Sequence, residues 1–409
     1  MADAAATVTA FFMIFDSKHV HWSYRSTVLV LCTLAFFVTV AARLVISPVV
    51  PDVVATFEVS TGAVGLALSG MWAAYALSQF PSGVLGDRYG ERRIVLVAIG
   101  GVALASALLA TSPSYLSFLL FAVLLGTTAG LHYSAATTLL TRQFERTGRA
   151  IGIHVSGAPI AGLTAPALAA VVGAQYGWRV AVFLGTVVAV PVFVVLLVRI
   201  RPTDPRLPDR RIRDRIDLSL LLGLLSRPGV AYTTALSALG AFTWQATASF
   251  LPAFLEGSQG FPRTTAGLLF SAYFLVNGVA QPLTGSLSDR YSRDSAAALT
   301  MGAGVLGFAT LVVGEGLPAT VTGVCLVGVA MTWGAPLQSR FMDLLDETER
   351  GLGFGLVRTV YMTLGATGSV AVGVSADLLG WSVAFGLLAG VMGLALVAIL
   401  ANRLLSLGY

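Results

Sequence analysis

Long apolar runs separated by short polar segments make up most of this chain. Twelve runs occur, and most are long enough to cross about 30 Å of hydrocarbon as a helix. Because lipid cannot satisfy free backbone groups, we expect each run to be helical. We number these predicted spans 1 to 12 and place them near residues 27–49, 63–85, 94–112, 115–139, 149–173, 178–199, 230–254, 266–286, 295–314, 318–340, 351–376 and 381–402.

The second half of the chain repeats features of the first. The segment Gly83 to Arg93, G-V-L-G-D-R-Y-G-E-R-R, lies between spans 2 and 3, and a partial copy begins 202 residues later at Gly285, between spans 8 and 9. An internal repeat predicts two halves built on one plan. The predicted units are an N-terminal tail (1–25), a first six-helix bundle (26–200), a polar linker (201–227), a second six-helix bundle (228–403) and a C-terminal tail (404–409).

Composition supports a membrane environment. Of the 409 residues, 56% are hydrophobic and only 11% are charged, and the mean hydropathy is +0.83. Soluble domains carry roughly 25% charged residues, so the expected solvent is lipid. The apolar run of the N-terminal tail is too short to span a bilayer and follows no basic residue, so we expect no signal peptide.

The basic residues lie mainly on one side of the predicted spans. With the N-terminus cytoplasmic, 21 of the 25 fall on the cytoplasmic side, while Arg179 and Arg263 fall outside and Arg43 and Arg358 lie within spans. This bias predicts a multi-pass protein of the cell membrane with both termini in the cytoplasm. The net charge of +5 is therefore a topology signal. A nucleic-acid partner is not expected, because no contiguous basic face is present outside the linker.

The segment between spans 2 and 3 carries the loop motif of a known family. It matches G-x-x-x-[DE]-[RK]-x-G-x-[RK]-[RK] at every specified position. With twelve spans and two similar halves, the chain resembles the major facilitator superfamily of secondary transporters. The resemblance implies an all-α polytopic membrane protein with two pseudo-symmetric six-helix bundles that work by alternating access. The matching residues are Gly83, Asp87, Arg88, Gly90, Arg92 and Arg93.

The motif predicts a gate on the cytoplasmic side. The glycines Gly83 and Gly90 let the helix end and the chain turn. Asp87 is suited to charge-assisted hydrogen bonds, and family resemblance places it against the start of span 11, near Gly351, in the outward-facing state. A solvated turn that only supplies positive-inside charge is the alternative. The expected partners are Arg142, Arg146 and Arg149 for Asp87, and Arg340 for Asp289, which is followed by Arg290 in the second copy.

Two arginines inside predicted spans indicate an anionic substrate. Arg43 lies in span 1 and Arg358 in span 11, whereas no acidic residue falls in the middle of a span. A charge within hydrocarbon is costly and by default marks a functional site. An anion is the natural partner, because the guanidinium can hold it through two hydrogen bonds. Alternatively, each arginine extends to its interface or caps helix carbonyls.

Other polar side chains complete the expected site. His132 in span 4 and His154 in span 5 are suited to accept a proton during coupling; ordinary interior histidines are the alternative. The remaining polar and aromatic residues are expected on a shared cavity wall, unless they only join helices by hydrogen bonds. These residues are Tyr75, Gln79, Trp244, Gln245, Asn277, Gln281, Trp333 and Tyr361.

Together these features predict a monomeric carrier in the lipid bilayer, without cofactor or metal, for a small organic or inorganic anion. Transport is by proton symport or by exchange. Two alternatives stay open: export of drug-like or amphiphilic compounds, and a transport-inactive membrane sensor of the same fold. Export is disfavoured because span 5 lacks the G-P-x-x-G-G pattern typical of drug exporters in the family. An enzyme is not expected, because the sequence offers no Cys/His pair, metal-ligand cluster or phosphate loop.

Overall fold

The computed structural model describes residues 23–207, 218–347 and 349–409, and over these residues the chain is helical and contains no strand. Twelve spans follow the twelve apolar runs. Their helices are Tyr24–Leu44 with Val50–Phe57 (span 1), Thr61–Tyr89, Glu91–Ala110, Tyr115–Thr141, Thr147–Val155 with Gly157–Tyr176 (span 5), Trp178–Arg199, Pro228–Gly257, Arg263–Arg290, Arg293–Val313, Gly316–Ala330 with Gly334–Leu344 (span 10), Leu352–Leu379 and Trp381–Leu404. The predicted spans are confirmed, and most of the helices extend a few residues beyond them.

Local chemistry explains several helix ends. The Ser60 hydroxyl accepts a hydrogen bond from the backbone N–H of Ala63 at 3.1 Å and caps span 2. Gly177 and Gly380 have φ values of 85° and 87°, a conformation that glycine adopts without steric cost. They form the sharp turns directly before Trp178 and Trp381, so the sixth span of each half begins after the same kind of glycine turn.

Three spans are interrupted. Span 1 contains a 3-10 turn at Ser47–Val49, span 5 breaks at Ser156, and span 10 contains a 3-10 turn at Met331–Trp333. Breaks of this kind direct side chains away from the regular helix face. The break in span 10 presents Trp333 to the interior of the molecule.

Ten of the described spans are long and apolar enough to cross a membrane by length and composition. Spans 2 and 7 have 29 and 30 residues but are less apolar. Both bury much of their surface against other spans rather than against lipid, so they can carry more polar side chains. The chain is a multi-pass membrane protein.

The spans form two six-helix bundles that meet through spans 2 and 11 and through spans 5 and 8. Spans 2 and 11 approach closely: a Cβ added at Gly65 would lie 2.6 Å from the carbonyl oxygen of Ser369. Small residues allow such close packing of helices in a membrane. The two bundles therefore touch along narrow seams, which leave space between them.

Two predicted segments lie partly outside the described residues. These are the N-terminal tail, of which residues 1–22 are not described, and the linker, of which residues 208–217 are not described. The last part of the linker forms a short helix, Leu218–Leu225, before span 7. We call the face that carries the linker the linker side and the opposite face the far side.

Candidate functional site

A cavity of about 460 Å³ lies between the two bundles. Its walls include nine of the twelve side chains that the sequence proposes for the substrate site. Spans 1, 2, 7, 8, 10 and 11 contribute them, so both halves of the chain form the cavity. The nine residues are Arg43, Tyr75, Trp244, Gln245, Asn277, Gln281, Trp333, Arg358 and Tyr361.

Arg43 is the most buried charge in the cavity, with only 4% of its surface exposed. Its guanidinium carbon lies 3.9 Å from the ring centre of Tyr75 and 5.0 Å from that of Trp72. Its Nε donates to the carbonyl oxygen of Thr39 at 2.9 Å. No acidic side chain of the described residues forms an ion pair with it. Aromatic faces and a carbonyl stabilise the cation partially and leave terminal N–H groups for another partner.

Arg358 lies between the cavity and a second space described below, and it lines both. Its guanidinium carbon is 5.3 Å from the ring centre of Tyr133 in span 4, on the other half of the chain. Its Nε is buried without a hydrogen-bond partner among the described residues. The two span arginines thus line one cavity, and neither is paired with an acid there.

Aromatic rings form much of the cavity wall, and the sequence interpretation missed some of them. Trp72 packs edge-on against Trp244 with ring centres 5.2 Å apart, across the two halves. Phe36, Phe274 and Gln338 are further lining residues. Trp72 stands three residues before Tyr75, and this helical spacing was a signal that could have identified it.

The two histidines lie outside the cavity lining. His132 and His154 are completely buried, and their ring centres are 5.5 Å apart. Phe36, which lines the cavity, packs against both rings at 6.1 and 5.1 Å. Tyr133, the ring contact of Arg358, lies 6.0 Å from His154. The histidines therefore form a buried pair one layer behind the cavity and do not contact its contents directly.

A vestibule of about 430 Å³ extends from Arg358 towards the linker side. Gln79 belongs to it rather than to the cavity, and so do Asp87, Arg206 of the linker and Gly351 at the start of span 11. Asp87 and the start of span 11 thus face a shared space. Because the vestibule joins the linker surface to Arg358, the cavity is accessible from the linker side.

The far side is held closed by contacts between the two halves. Arg263 at the start of span 8 donates two hydrogen bonds to Asp52 of span 1, at 2.5 and 2.7 Å, and pairs with Glu256 at 3.3 Å. The carboxylate of Asp377 at the end of span 11 accepts from the backbone N–H groups of Thr61 and Gly62 at 3.0 and 2.7 Å. Those N–H groups begin span 2, where an acid is favoured by the helix dipole.

The loop after span 2 contains a buried acid that the sequence interpretation missed. Glu91 is fully buried and pairs with Arg142 at 2.7 Å, while the guanidinium of Arg206 lies 3.8 Å away. Arg142 was expected to pair with Asp87, but its guanidinium lies at ion-pair distance from Glu91, the first residue of span 3. The backbone carbonyl of Asp87 accepts from the N–H groups of Arg206 and Leu207. The motif therefore anchors the first residues of the linker.

Other motif residues support this anchor. Arg92 donates to the carbonyl oxygens of Leu197 and Ile200, each at 2.7 Å, and so caps the end of span 6. Gly90, with φ 87°, forms the turn and leaves no room for a Cβ beside the carbonyl of Thr203.

The prediction for Gly83 was wrong, because span 2 continues as helix to Tyr89 and Gly83 lies inside it. The remaining arginines of this region do not enter the buried network: Arg88 packs over the ring of Tyr89, and the exposed residues are Arg93, Arg146 and Arg149.

The second copy of the motif pairs differently from the expectation. Asp289 pairs with Arg293, one helical turn away, and Arg340 pairs with Asp294 and with the C-terminal carbonyl of Tyr409. The expected pair of Asp289 and Arg340 is therefore wrong. A neighbour at i+4 satisfies the first acid locally, and Asp294, in the first turn of span 9, is the acid that Arg340 reaches. Arg290 packs over the ring of Tyr291.

Two helical bundles around a central cavity, with contacts between the halves closing one face and a vestibule on the other, are the architecture of a membrane transporter. The family model of the Major Facilitator Superfamily matches residues 31–262 and 235–406. The chain belongs to this family of secondary transporters.

Similar proteins agree with this assignment. The chain is 25% identical over 350 residues to a probable 4-methylmuconolactone transporter of Cupriavidus pinatubonensis, covering 82% of this chain and 80% of the relative. It is 24% identical over 387 residues to the hexuronate transporter of Bacillus subtilis, covering 88% and 89%. A bacterial homologue of the human lysosomal transporter Spinster, solved in an inward-facing and occupied conformation, has the same fold, with a TM-score of 0.77, 16% identity and coverage of 93% and 97%.

Proposed function

We propose that this protein carries a small anion across the cell membrane and that Arg43 is its principal binding group. The observation that carries the proposal is a buried guanidinium in the central cavity that has no acidic partner among the described residues. A buried charge without a counterion is strongly unfavourable. An anion in the cavity supplies that counterion, and Arg358 on the opposite half adds a second positive charge. A relative that carries hexuronate supports the class.

The conformation supports a transport cycle. We assign the linker side to the cytoplasm, because the predicted loops on that side carry most of the basic residues. Both termini then face the cytoplasm, and the conformation is inward-facing. In the opposite state the far-side contacts of Arg263 and Asp377 would separate, and Asp87 would meet the start of span 11.

We infer that transport is coupled to protons through the pair of histidines. The two histidines lie on spans 4 and 5 beside the backbone of Cys32 on span 1. The other titratable and charged groups near the pair are Tyr133 and, beyond Tyr133, Arg358. A proton on the pair adds positive charge near the cavity, and an anion in the cavity adds the opposite charge. Anion and proton therefore favour each other's binding, which is the requirement for symport.

Binding measurements on purified protein test the anion proposal. Thermal unfolding would be followed with carboxylates, phosphate, nitrate, neutral solutes and organic cations. We expect stabilisation by an anion that disappears in Arg43→Ala and weakens in Arg358→Ala, while Arg93→Ala, which alters an exposed arginine, serves as control. Stabilisation by a cation or a neutral compound, or stabilisation by an anion that survives loss of both span arginines, would contradict the proposal.

The same assay tests the export alternative, and a flux measurement in liposomes tests the sensor alternative. An exporter of amphiphilic compounds would respond to lipophilic cations, for which the cavity offers no acidic side chain among the residues that line it. A sensor would bind its ligand but carry no flux in liposomes.

A further inference from the structure

The cavity has the size and the walls of a site for an organic molecule. Its volume of about 460 Å³ falls in the range of roughly 300–1,000 Å³ usual for small-molecule sites. Edge-on aromatic pairs stand on two of its sides, Trp72 with Trp244 and Trp333 with Tyr361, with ring centres 5.2 and 6.2 Å apart. A bare inorganic anion would leave these faces without contact, whereas a flat conjugated body stacks on them.

Two amide side chains of the cavity wall form hydrogen bonds within the protein. The side-chain amide of Gln245 already donates to the carbonyl of Met362 at 2.9 Å, and that of Asn277 donates to Gly328 at 3.4 Å. These hydrogen bonds fix the orientation of both side-chain amides.

Two polar groups of the cavity wall are buried without a hydrogen-bond partner among the described residues. They are the indole Nε1–H of Trp333 and the carbonyl Oε1 of Gln245, whose side chains are 7% and 1% exposed. The donation to Met362 fixes which end of the Gln245 amide is the acceptor. The Trp333 ring is seated against span 7, where a Cβ added at Gly240 would lie 2.6 Å from it. One orphan donor and one orphan acceptor thus lie on the second half of the chain.

A hydroxyl is the simplest group that accepts from one partner and donates to another. Arg43 lies on the first half of the chain, whereas Gln245 and Trp333 lie on spans 7 and 10 of the second half. We propose that the substrate is a flat, conjugated carboxylate that also carries a hydroxyl group, with its carboxylate on Arg43 and its hydroxyl on Trp333 and Gln245. This inference rests on the proposed anion function and narrows its substrate class.

Calorimetric binding to the purified full-length protein tests the proposal. The probes are benzoate, meta- and para-hydroxybenzoate, cyclohexanecarboxylate, glucuronate and nitrate. We expect one hydroxybenzoate to bind best, benzoate next, and the three non-aromatic anions most weakly. A ligand hydroxyl that bonds to both Trp333 and Gln245 should make the hydroxybenzoate bind on the order of tenfold more tightly than benzoate. This is the effect of one good buried hydrogen bond.

Three variants separate the contributions. Trp333→Phe and Gln245→Met should each reduce the ratio of hydroxybenzoate to benzoate affinity towards one. Trp72→Phe is the matched control: it also loses an indole of the wall, but its N–H already donates to Ser249 at 3.1 Å, so the ratio should persist. Circular dichroism and the thermal unfolding midpoint show that each variant is folded.

Each contrary outcome has its own meaning. Equal or tighter binding of cyclohexanecarboxylate, glucuronate or nitrate overturns the flat substrate while Arg43-dependent anion binding stands. An affinity ratio that is unchanged in both Trp333→Phe and Gln245→Met overturns the hydroxyl site. If no anion binds in an Arg43-dependent manner, the proposed function itself fails.

Discussion

The contacts of Arg43 depend on the planar shape of its guanidinium. Its planar group stacks on Tyr75 while Nε is held by Thr39, a geometry that a lysine cannot reproduce. We expect Arg43→Lys to weaken anion binding by about 1.5–3 kcal/mol, on the order of ten- to a hundredfold in Kd, despite the retained charge. Calorimetric titration of wild type and variant measures this effect. Unchanged affinity in Arg43→Lys would show that the positive charge alone suffices and that the guanidinium does not hold the anion through two hydrogen bonds.

Glu91 offers a second residue-scale prediction, on stability. Removing one partner of a buried ion pair leaves an uncompensated charge, and this typically costs about 3–5 kcal/mol. Because Arg142 is partly exposed, we expect Glu91→Gln to fall at or below the lower end of that range. Thermal unfolding in detergent should show a clearly lower midpoint than in Glu145→Gln, which alters an exposed acid nearby. Equal midpoints would contradict the structural role of Glu91.

At the scale of elements, the far-side contacts determine which face is open. Asp377 holds the start of span 2, and Asp52 holds the start of span 8 through Arg263. We expect Asp377→Asn combined with Asp52→Asn to shift the population towards the outward-facing state. The reason is that these substitutions weaken charge-assisted contacts present only when the far side is closed.

Spin labels at the exposed positions Ala55 and Ser258 measure this shift as a longer mean distance across the far side. Glu58→Gln, which alters an exposed acid in the loop between spans 1 and 2, should leave the distance unchanged. If the double variant has the same distance distribution as the wild type, these contacts do not hold the far side closed.

The pair of histidines joins spans 4 and 5 beside span 1, and its role is tested by pH. If a proton on the pair and an anion in the cavity favour each other, anion affinity should rise as pH falls from about 8 to 5. The double variant His132→Gln, His154→Gln should bind with affinity independent of pH over this range. Persistent pH dependence in the double variant would place the coupling proton elsewhere.

At the scale of the whole molecule, hydrophobic patterning predicted the architecture well. The twelve spans follow from the length of the apolar runs, and the two halves follow from the internal repeat. The arginines of spans 1 and 11 were assigned to one cavity because a charge inside a span needs an interior location. The structure places both there.

What the sequence could not predict depends on contacts between distant segments. Arg142 binds Glu91 instead of Asp87, and Arg340 binds Asp294 instead of Asp289, because helix ends that are remote in sequence meet in space. The two histidines were assigned to the substrate site from their chemistry, yet the rotation of spans 4 and 5 places them behind Phe36. Pattern indicates which face of a helix is buried, but not which neighbour it meets.

Counterflow in proteoliposomes is the decisive test of anion transport, because it requires binding, reorientation and release of the anion together. Vesicles that contain the purified protein would be loaded with unlabelled benzoate and diluted into trace radiolabelled benzoate, and other anions that bind would be tried in the same way. We expect transient accumulation of label in wild-type vesicles and none in Arg43→Gln vesicles. Absence of counterflow for every anion that binds, or equal accumulation in Arg43→Gln vesicles, would refute Arg43-dependent anion transport.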